Sequence, residues 1–400
     1  MIDDSEFLAR RNKLKAKIAE QGARTLVITN PDSIYYLCGA TFEALERPFF
    51  LVVSCDEAER LIVPFLEKDH MKKSRAVTHD NIFTYWEYPA PEDKSWKSAL
   101  LEQGRLEQGF IYEPTCPAYI SELFRQIGGH PVGLIEELRL IKSAAEIDMV
   151  RKAAYYADMG VQQLLDYSYF GSTVGEGFAR TSKVTQAIIR NSPNWDVLST
   201  KVLMGTFPAP VSAQPHSVPS IDDLLLEGPH VALVLTRANG YAAESERTYF
   251  TAPPSRQDKE YFSLMLEARK LGLGMVKPGI ACGSIDAEVN HFLEKRGVGK
   301  PEQRLHRIGH GLGLGNHEGP WLSEGSTDVL EAGMIVSIEP GIYVSGVGGY
   351  RHSDTVLVTE DGYELLTKAP GVETPVVVNK KTIKHRIYHY MVNKAIGLRV

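Results

Sequence analysis

Two histidines seven residues apart, His310 and His317, stand in the run Arg307-Ile308-Gly309-His310-Gly311-Leu312-Gly313-Leu314-Gly315-Asn316-His317-Glu318-Gly319-Pro320. Histidine is the side chain most easily poised near neutral pH and a common metal ligand. Glycine lets backbone approach a ligand closely. The run therefore suits acid–base chemistry or metal ligation, provided the rest of the chain supplies partners. Acids are available at Glu244 and Glu246, two apart in Tyr241–Phe250, and at Glu339, which closes the apolar stretch Met334–Glu339 just before Pro340-Gly341. His216 stands in a proline-broken loop over 205–220, and Arg351 and His352 lead the run to Asp354. Arg47, before Pro48, is the charge of interest in the first third of the chain.

The elements that must position these residues follow from periodicity. Helical spacing covers 5–22, and short apolar strands are expected at 25–29, 49–53, 61–63 and 110–112, with helices near 66–74 and 117–127 between them. Ser143 and Glu146 form a capping box that starts a helix running to about 168, with another at 174–190. The apolar Val231–Leu235 and the Asn239-Gly240 turn predict a β-hairpin that returns through Glu244 and Glu246. On a regular strand those two acids share a face. Helices are expected at 257–276 and 284–297 and strands at 334–339 and 355–359; the last twenty residues, basic with His385 and His389, read as a surface tail. Residues 1–137 thus form a smaller α/β domain and 138–400 a larger one, of α+β class overall.

A formal net charge of −6 gives no electrostatic case for nucleic acid or an anionic membrane. Four scattered cysteines show no C-x-x-C pair and point to free thiols in a reducing compartment. The polar start of the chain lacks the apolar core of a signal peptide, and no long apolar run predicts a membrane span. A cytoplasmic protein is expected.

Taken in order, several motifs resemble the pita-bread family of prolidase, aminopeptidase P, methionine aminopeptidase and creatinase. They are L-R-L-I-K-S-A-A-E at 138–146, His216 in its proline-rich loop, G-Y-A-A-E-S-E-R-T at 240–248, G-H-G-L-G-L-G-N-H-E-G-P at 309–320, S-I-E-P-G at 337–341 and Y-R-H-S-D-T at 350–355. The two-domain prolidase and creatinase branch is the most similar. The resemblance implies a creatinase-type N-terminal domain before a C-terminal pita-bread domain. In the peptidase branch it also implies two metal ions held by two aspartates, a histidine and two glutamates. Here the histidine falls on His310, the first glutamate on Glu339 and the second aspartate on Glu244. The first aspartate falls on Leu233 and the last glutamate on Ser353.

With those two ligands missing, the resemblance leaves two readings. One is a single divalent metal on Glu244, His310 and Glu339. The other, which we favour, is metal-free chemistry similar to creatinase, whose catalytic histidine corresponds to His216 and whose strand glutamate corresponds to Glu246. Creatinase carries a second glutamate where this chain has His352, so creatine is not the expected substrate. Ectoine hydrolases, which open a cyclic amidine bearing a carboxylate, are also similar. The expected activity is hydrolysis of a C–N bond in a small amide or cyclic amidine, ectoine leading. His216, Glu246, His310 and His317 would be catalytic; Arg47, Arg351, His352 and Glu339 would bind substrate. The alternatives are a metal-dependent Xaa-Pro dipeptidase or aminopeptidase with a mononuclear site, and a non-catalytic binding module. A homodimer is implied, with Arg47 offered by either subunit.

Overall fold

Short apolar strands alternating with helices build the first of two units, Met1–Arg139. The structure is a computed structural model and describes residues 2–43, 45–75 and 77–398. Strands β1 (Thr25–Ile28), β2 (Phe50–Ser54), β3 (Arg60–Pro64), β4 (Ile82–Tyr85), β5 (Ile111–Tyr112) and β6 (His130–Pro131) form one mixed sheet in the order β4-β3-β2-β1-β5-β6. Val27, Phe50, Val52, Ile62, Trp96, Phe110 and Phe124 are among the residues of its core. The helix expected over 66–74 is only one α-helical turn, Lys68–Met71, after a 3-10 turn.

The second unit, Leu140–Val400, is organised around a long antiparallel hairpin. Its strands are β7 (Lys201–Phe207), β8 (His230–Ala238), β9 (Tyr241–Phe250), β10 (Gly309–Gly311), β11 (Glu318–Leu322), β12 (Ile335–Ile338), β13 (Gly341–Val344), β14 (Gly348–Arg351), β15 (Ser353–Val358), β16 (Tyr363–Leu365) and β17 (Val376–Val377). The main sheet runs β11-β10-β12-β15-β9-β8-β7, with β16 on β15 and β17 on β9; β13 and β14 pair separately. Asn239 and Gly240 both take positive φ, 46° and 93°, which is what a two-residue turn of this kind requires.

Strand alternation divides the residues of β9 between two environments. Ser245 and Arg247 face the helix side. There Ser245 donates to Asp158 of the helix Ala144–Tyr167, and Arg247 meets Asp354 at 2.7 Å. Asp354 also binds Arg269 of the helix Arg256–Met275 at 2.6 Å. The opposite face carries Glu244 and Glu246. The capping box expected at Ser143 and Glu146 is present.

Three further local expectations differ from the structure. The segment before the proline loop is a strand, β7, whose seven residues pair with β8 through Gly205. The helix expected over 174–190 is two helices, Val174–Phe178 and Thr181–Asn191, broken by a turn at Ala179-Arg180. The basic tail contains a helix, Ile383–Ala395, capped by Thr382. One face of it docks through His389, whose Nδ1 lies 2.8 Å from the buried Glu176, and through buried Val392 and Asn393. Among the described residues, no helix is long and apolar enough to cross a membrane.

Asp354 is fully buried between two guanidinium groups, which hold its carboxyl below the ordinary carboxylate range against the cost of burial. Removing it strands two buried cations. Asp354→Ala is expected to lower stability by about 3–5 kcal/mol, read from the midpoint of urea unfolding. A loss under about 1 kcal/mol, the range of a surface pair, would mean the trio does not hold this face together.

Candidate functional site

Glycine brings the strands of the candidate site into contact. A Cβ on Gly309 would lie 2.1 Å from the Ser337 carbonyl oxygen, and one on Gly311 would lie 1.9 Å from that of Gly319. Only glycine permits β10 to lie this close, and this seats His310 among carboxylates. The His310 backbone N–H donates to Ser337 Oγ at 3.0 Å, and its Nδ1 donates to the Gly311 carbonyl at 3.0 Å. That fixes the tautomer. Nε2 then lies 3.2 Å from Glu339 Oε1 and 3.6 Å from Glu244 Oε2, yet it makes no well-formed hydrogen bond. A buried nitrogen so placed calls for a proton or a cation.

The electrostatics follow from burial opposed by neighbours. Burial pushes the Glu244 carboxyl up to about 7, although the His310 charge pulls it the other way. Burial would lower His310, but Glu244 and Glu339 outweigh it and hold the imidazole at about 9. Burial would raise Glu339, but His310, His306 and Arg351 outweigh it and bring it to about 2. Without a metal, the site is therefore an imidazolium–carboxylate pair beside a carboxyl that can carry a proton near neutrality.

A second line of contacts runs from Glu246. Its carboxylate is in direct contact with the Arg351 guanidinium, which also donates to the Tyr343 hydroxyl at 3.1 Å. Tyr343 in turn donates to His306 Nε2 at 2.6 Å, because His306 Nδ1 donates to the Arg307 carbonyl. Burial lowers the pKa of His306, against the pull of Glu339. On the exposed side, the His317 ring lies 3.9 Å from that of His310. Burial and the His310 charge push His317 down to about 4. His216 is exposed on its loop and close enough to act electrostatically on both His306 and His317.

Three comparisons with known proteins agree with this geometry. Residues 208–360 match the model of metallopeptidase family M24, and residues 10–141 match the creatinase/prolidase N-terminal domain. An uncharacterized peptidase of Staphylococcus aureus is 32% identical over 372 residues, spanning 90% of this chain and 99% of its own length. The chain belongs to metallopeptidase family M24. Its M24 fold is similar to that of the dipeptidase PepE from Mycobacterium ulcerans, with TM-score 0.79, 27% identity, and coverage of 95% of this chain and 100% of that one. It is also similar to the Xaa-Pro dipeptidase from Bacillus anthracis, with TM-score 0.75, 26% identity, and coverage of 93% and 99%. The two-domain pita-bread architecture and membership of a hydrolase family that cleaves C–N bonds follow.

The family name implies metal, and the residues present test it. Leu233 lies directly opposite Glu246 on β8, and Ser353 lies opposite Glu246 on β15. Neither can bridge two metals, and the Ser353 hydroxyl donates instead to Glu244 Oε1 at 2.6 Å. A two-metal M24 centre does not fit. One divalent cation does fit: Glu244, His310 and His317 each offer a ligand atom within 4.8 Å of the others, and Glu339 borders the bare His310 Nε2.

The structure brings together Glu244, Glu246, His310, His317, Glu339 and Arg351, with His216 in electrostatic range of two rim histidines. His352 does not join them. Alternation sends it to the helix side, where its ring lies 5.4 Å from Phe262 and burial holds it far below its ordinary pKa. Arg351 is not a free carboxylate receptor, because Glu246 occupies it. Arg47 lies in the first unit, paired with Glu46 and Glu87. Sequence reasoning missed His306 and Tyr343, which stand four residues before His310 and four after Glu339. Polar and aromatic residues flanking each motif were the available signal.

The pKa directions fix a stability window. His310, raised from 6.5 to about 9, stabilises the fold fully below pH 6.5 and loses that contribution as pH rises through 9. Glu244, raised to about 7, acts in the same direction at lower pH. Glu339 contributes above its ordinary 4.5 and loses its contribution only as pH falls through about 2. Chelator-treated protein is expected to lose melting temperature steadily from about pH 6.5 to 9, and His310→Gln to flatten that slope. Parallel curves for the two proteins would remove the imidazolium from the account.

Proposed function

We propose that this chain hydrolyses a C–N bond in a small amide or cyclic amidine, with ectoine as the candidate substrate, by proton transfer rather than through a pair of metals. The observation that carries the reading is the flanking of Glu246 by Leu233 and Ser353, which leaves no bridging carboxylate. In the reaction, water oxygen adds to the amidine carbon between its two nitrogens, one ring C–N bond breaks, and the departing nitrogen takes up a proton. The product is an open-chain acetylated diamino acid.

His216 is the general base that removes the water proton and returns it to the leaving nitrogen. Glu246 orients a nitrogen-bearing group, its own charge balanced by Arg351. The His310 imidazolium, held by Glu339, and the neutral His317 donate to the oxygen as negative charge develops. Glu244, poised near neutrality, is a second acceptor for a proton. A homodimer is the expected assembly.

A second reading has specific support. The bare His310 Nε2 between two carboxylates, and likeness to the structure named Xaa-Pro dipeptidase, favour a dipeptidase with one divalent cation on Glu244 and His310, with Glu339 or His317 as the third ligand. A cation there would polarise the scissile carbonyl.

One set of assays separates the two. Ectoine and glycyl-proline are offered to full-length protein in EDTA and after Mn²⁺ addition. Turnover of ectoine is expected to persist in EDTA, and His216→Ala to lower kcat by about 10²- to 10⁴-fold with an unchanged circular dichroism spectrum. Dipeptide cleavage that rises and falls with Mn²⁺, with ectoine left intact, would establish the second reading instead.

A further inference from the structure

Three carboxylates line the site, and each already has its cation: Glu246 has Arg351, while Glu244 and Glu339 share His310. The helix-side arginines are likewise matched, Arg247 and Arg269 both to Asp354. Arg307 is different. It lies two residues before β10 and is half-buried. Its guanidinium lies over the Trp321 ring at 4.6 Å, and Nη2 approaches His317 Nδ1 at 3.4 Å. Its Nε is shut off from solvent with no acceptor. Among the described residues it has no carboxylate partner.

Stacking on an aromatic face orients a guanidinium plane without using its N–H donors. The donor fork then remains available, and its geometry matches a carboxylate bidentately. His317, which accepts the weak contact from Arg307 at Nδ1, keeps its own proton on Nε2. Its ring bridges Arg307 to His310, the two imidazoles lying 3.9 Å apart. A small molecule whose carboxylate rests on Arg307 thus has the rest of its length beside His310 and the buried acids.

We infer that Arg307 is the carboxylate receptor of this site, and that its substrates are small acids rather than neutral amides. The inference rests on the proposed function only in taking the substrate to be a small C–N compound. Ectoine and Xaa-Pro dipeptides both carry the required carboxylate, so it holds under either mechanism. It also reassigns a role that sequence alone gave to Arg47 and Arg351, each of which is already paired.

The test compares each acid with its neutral counterpart: ectoine with its carboxamide, and glycyl-proline with glycyl-prolinamide. Binding is measured by calorimetry and turnover by initial rates, on full-length wild type, Arg307→Ala, Arg307→Lys and Arg307→Met. Wild type is expected to prefer at least one acid over its amide. Arg307→Ala should weaken that acid by about 10- to 100-fold, the range for a charge-assisted hydrogen bond. The loss should appear in Kd or KM, with kcat within a few-fold and the amide unchanged. Arg307→Lys should retain part of the preference. Arg307→Met keeps a stem against Trp321 without the charge and should behave like Arg307→Ala, which guards against a packing defect. Binding of neither acid to wild type, a preference that survives Arg307→Ala, or an equal loss for acid and amide overturns the inference. Acid-selective binding without turnover of ectoine or dipeptide would sink the functional reading alone.

Discussion

Two carboxylates two residues apart on one face of a buried strand cannot both stay ionised unless cations meet them. Glu244 and Glu246 set this constraint for the second unit, and the surrounding strands answer it. Arg351, at the end of β14, takes Glu246; His310, on β10, faces Glu244 and Glu339. The same alternation places Arg247 on the opposite face, where Asp354 and Arg269 complete a separate trio. One strand therefore carries charge on both faces, and β-pleating keeps the two sets apart. The helix-side set is fully enclosed and structural, whereas the other opens through His317 towards solvent.

Leu233 and Ser353 decide what this charge balance can do. Each lies across from Glu246, one on each neighbouring strand, where a dinuclear centre would need carboxylates. Two more acids there would demand more positive charge than His310 and Arg351 supply. With a leucine and a serine, the account closes with side chains alone: one guanidinium for Glu246, one imidazolium shared by the other two. A single cation could replace the proton on His310 Nε2 without disturbing Arg351. The choice between proton and cation is thus confined to one corner of the site, while the Glu246–Arg351–Tyr343–His306 line is common to both.

Much of this was legible in the sequence because the signals are local. The hairpin follows from Asn239-Gly240 between apolar runs, the capping box from Ser143 and Glu146, and the shared face of Glu244 and Glu246 from the period of a strand. Parity also carried information about residues 351–353: if Ser353 faces the site, so does Arg351, and His352 cannot. What stayed hidden depends on partners distant in the chain. Tyr343 gains meaning only when His306 and Arg351 reach it from other strands. The C-terminal helix was read as a tail because its outer face mixes exposed Ile383, Ile387 and Met391 with lysine and arginine. Its docking face, with His385, His389 and Asn393, is polar too, so no single apolar stripe marks it. β7 was masked by the prolines that follow it, although its pairing runs the length of Lys201–Phe207.

Exposure separates the charges of the site into a buried set and a rim. In the buried set, Glu246 and Arg351 neutralise each other and leave hydrogen-bonding geometry rather than net charge. Beside them, the protonated His310 pairs with Glu339, and Glu244 lies near its titration point. At the rim, His317 is neutral, and Arg307 is cationic with no carboxylate partner among the described residues. A ligand that enters here is held best if its negative end stays at the rim and its nitrogen-bearing end goes inward to the carboxylates. A protonated cyclic amidine or a dipeptide that carries a carboxylate has that polarity, and a compound without an anionic end does not. On the proposed reading, selection by charge falls to the rim, and the C–N bond lies beside His310 and the buried acids.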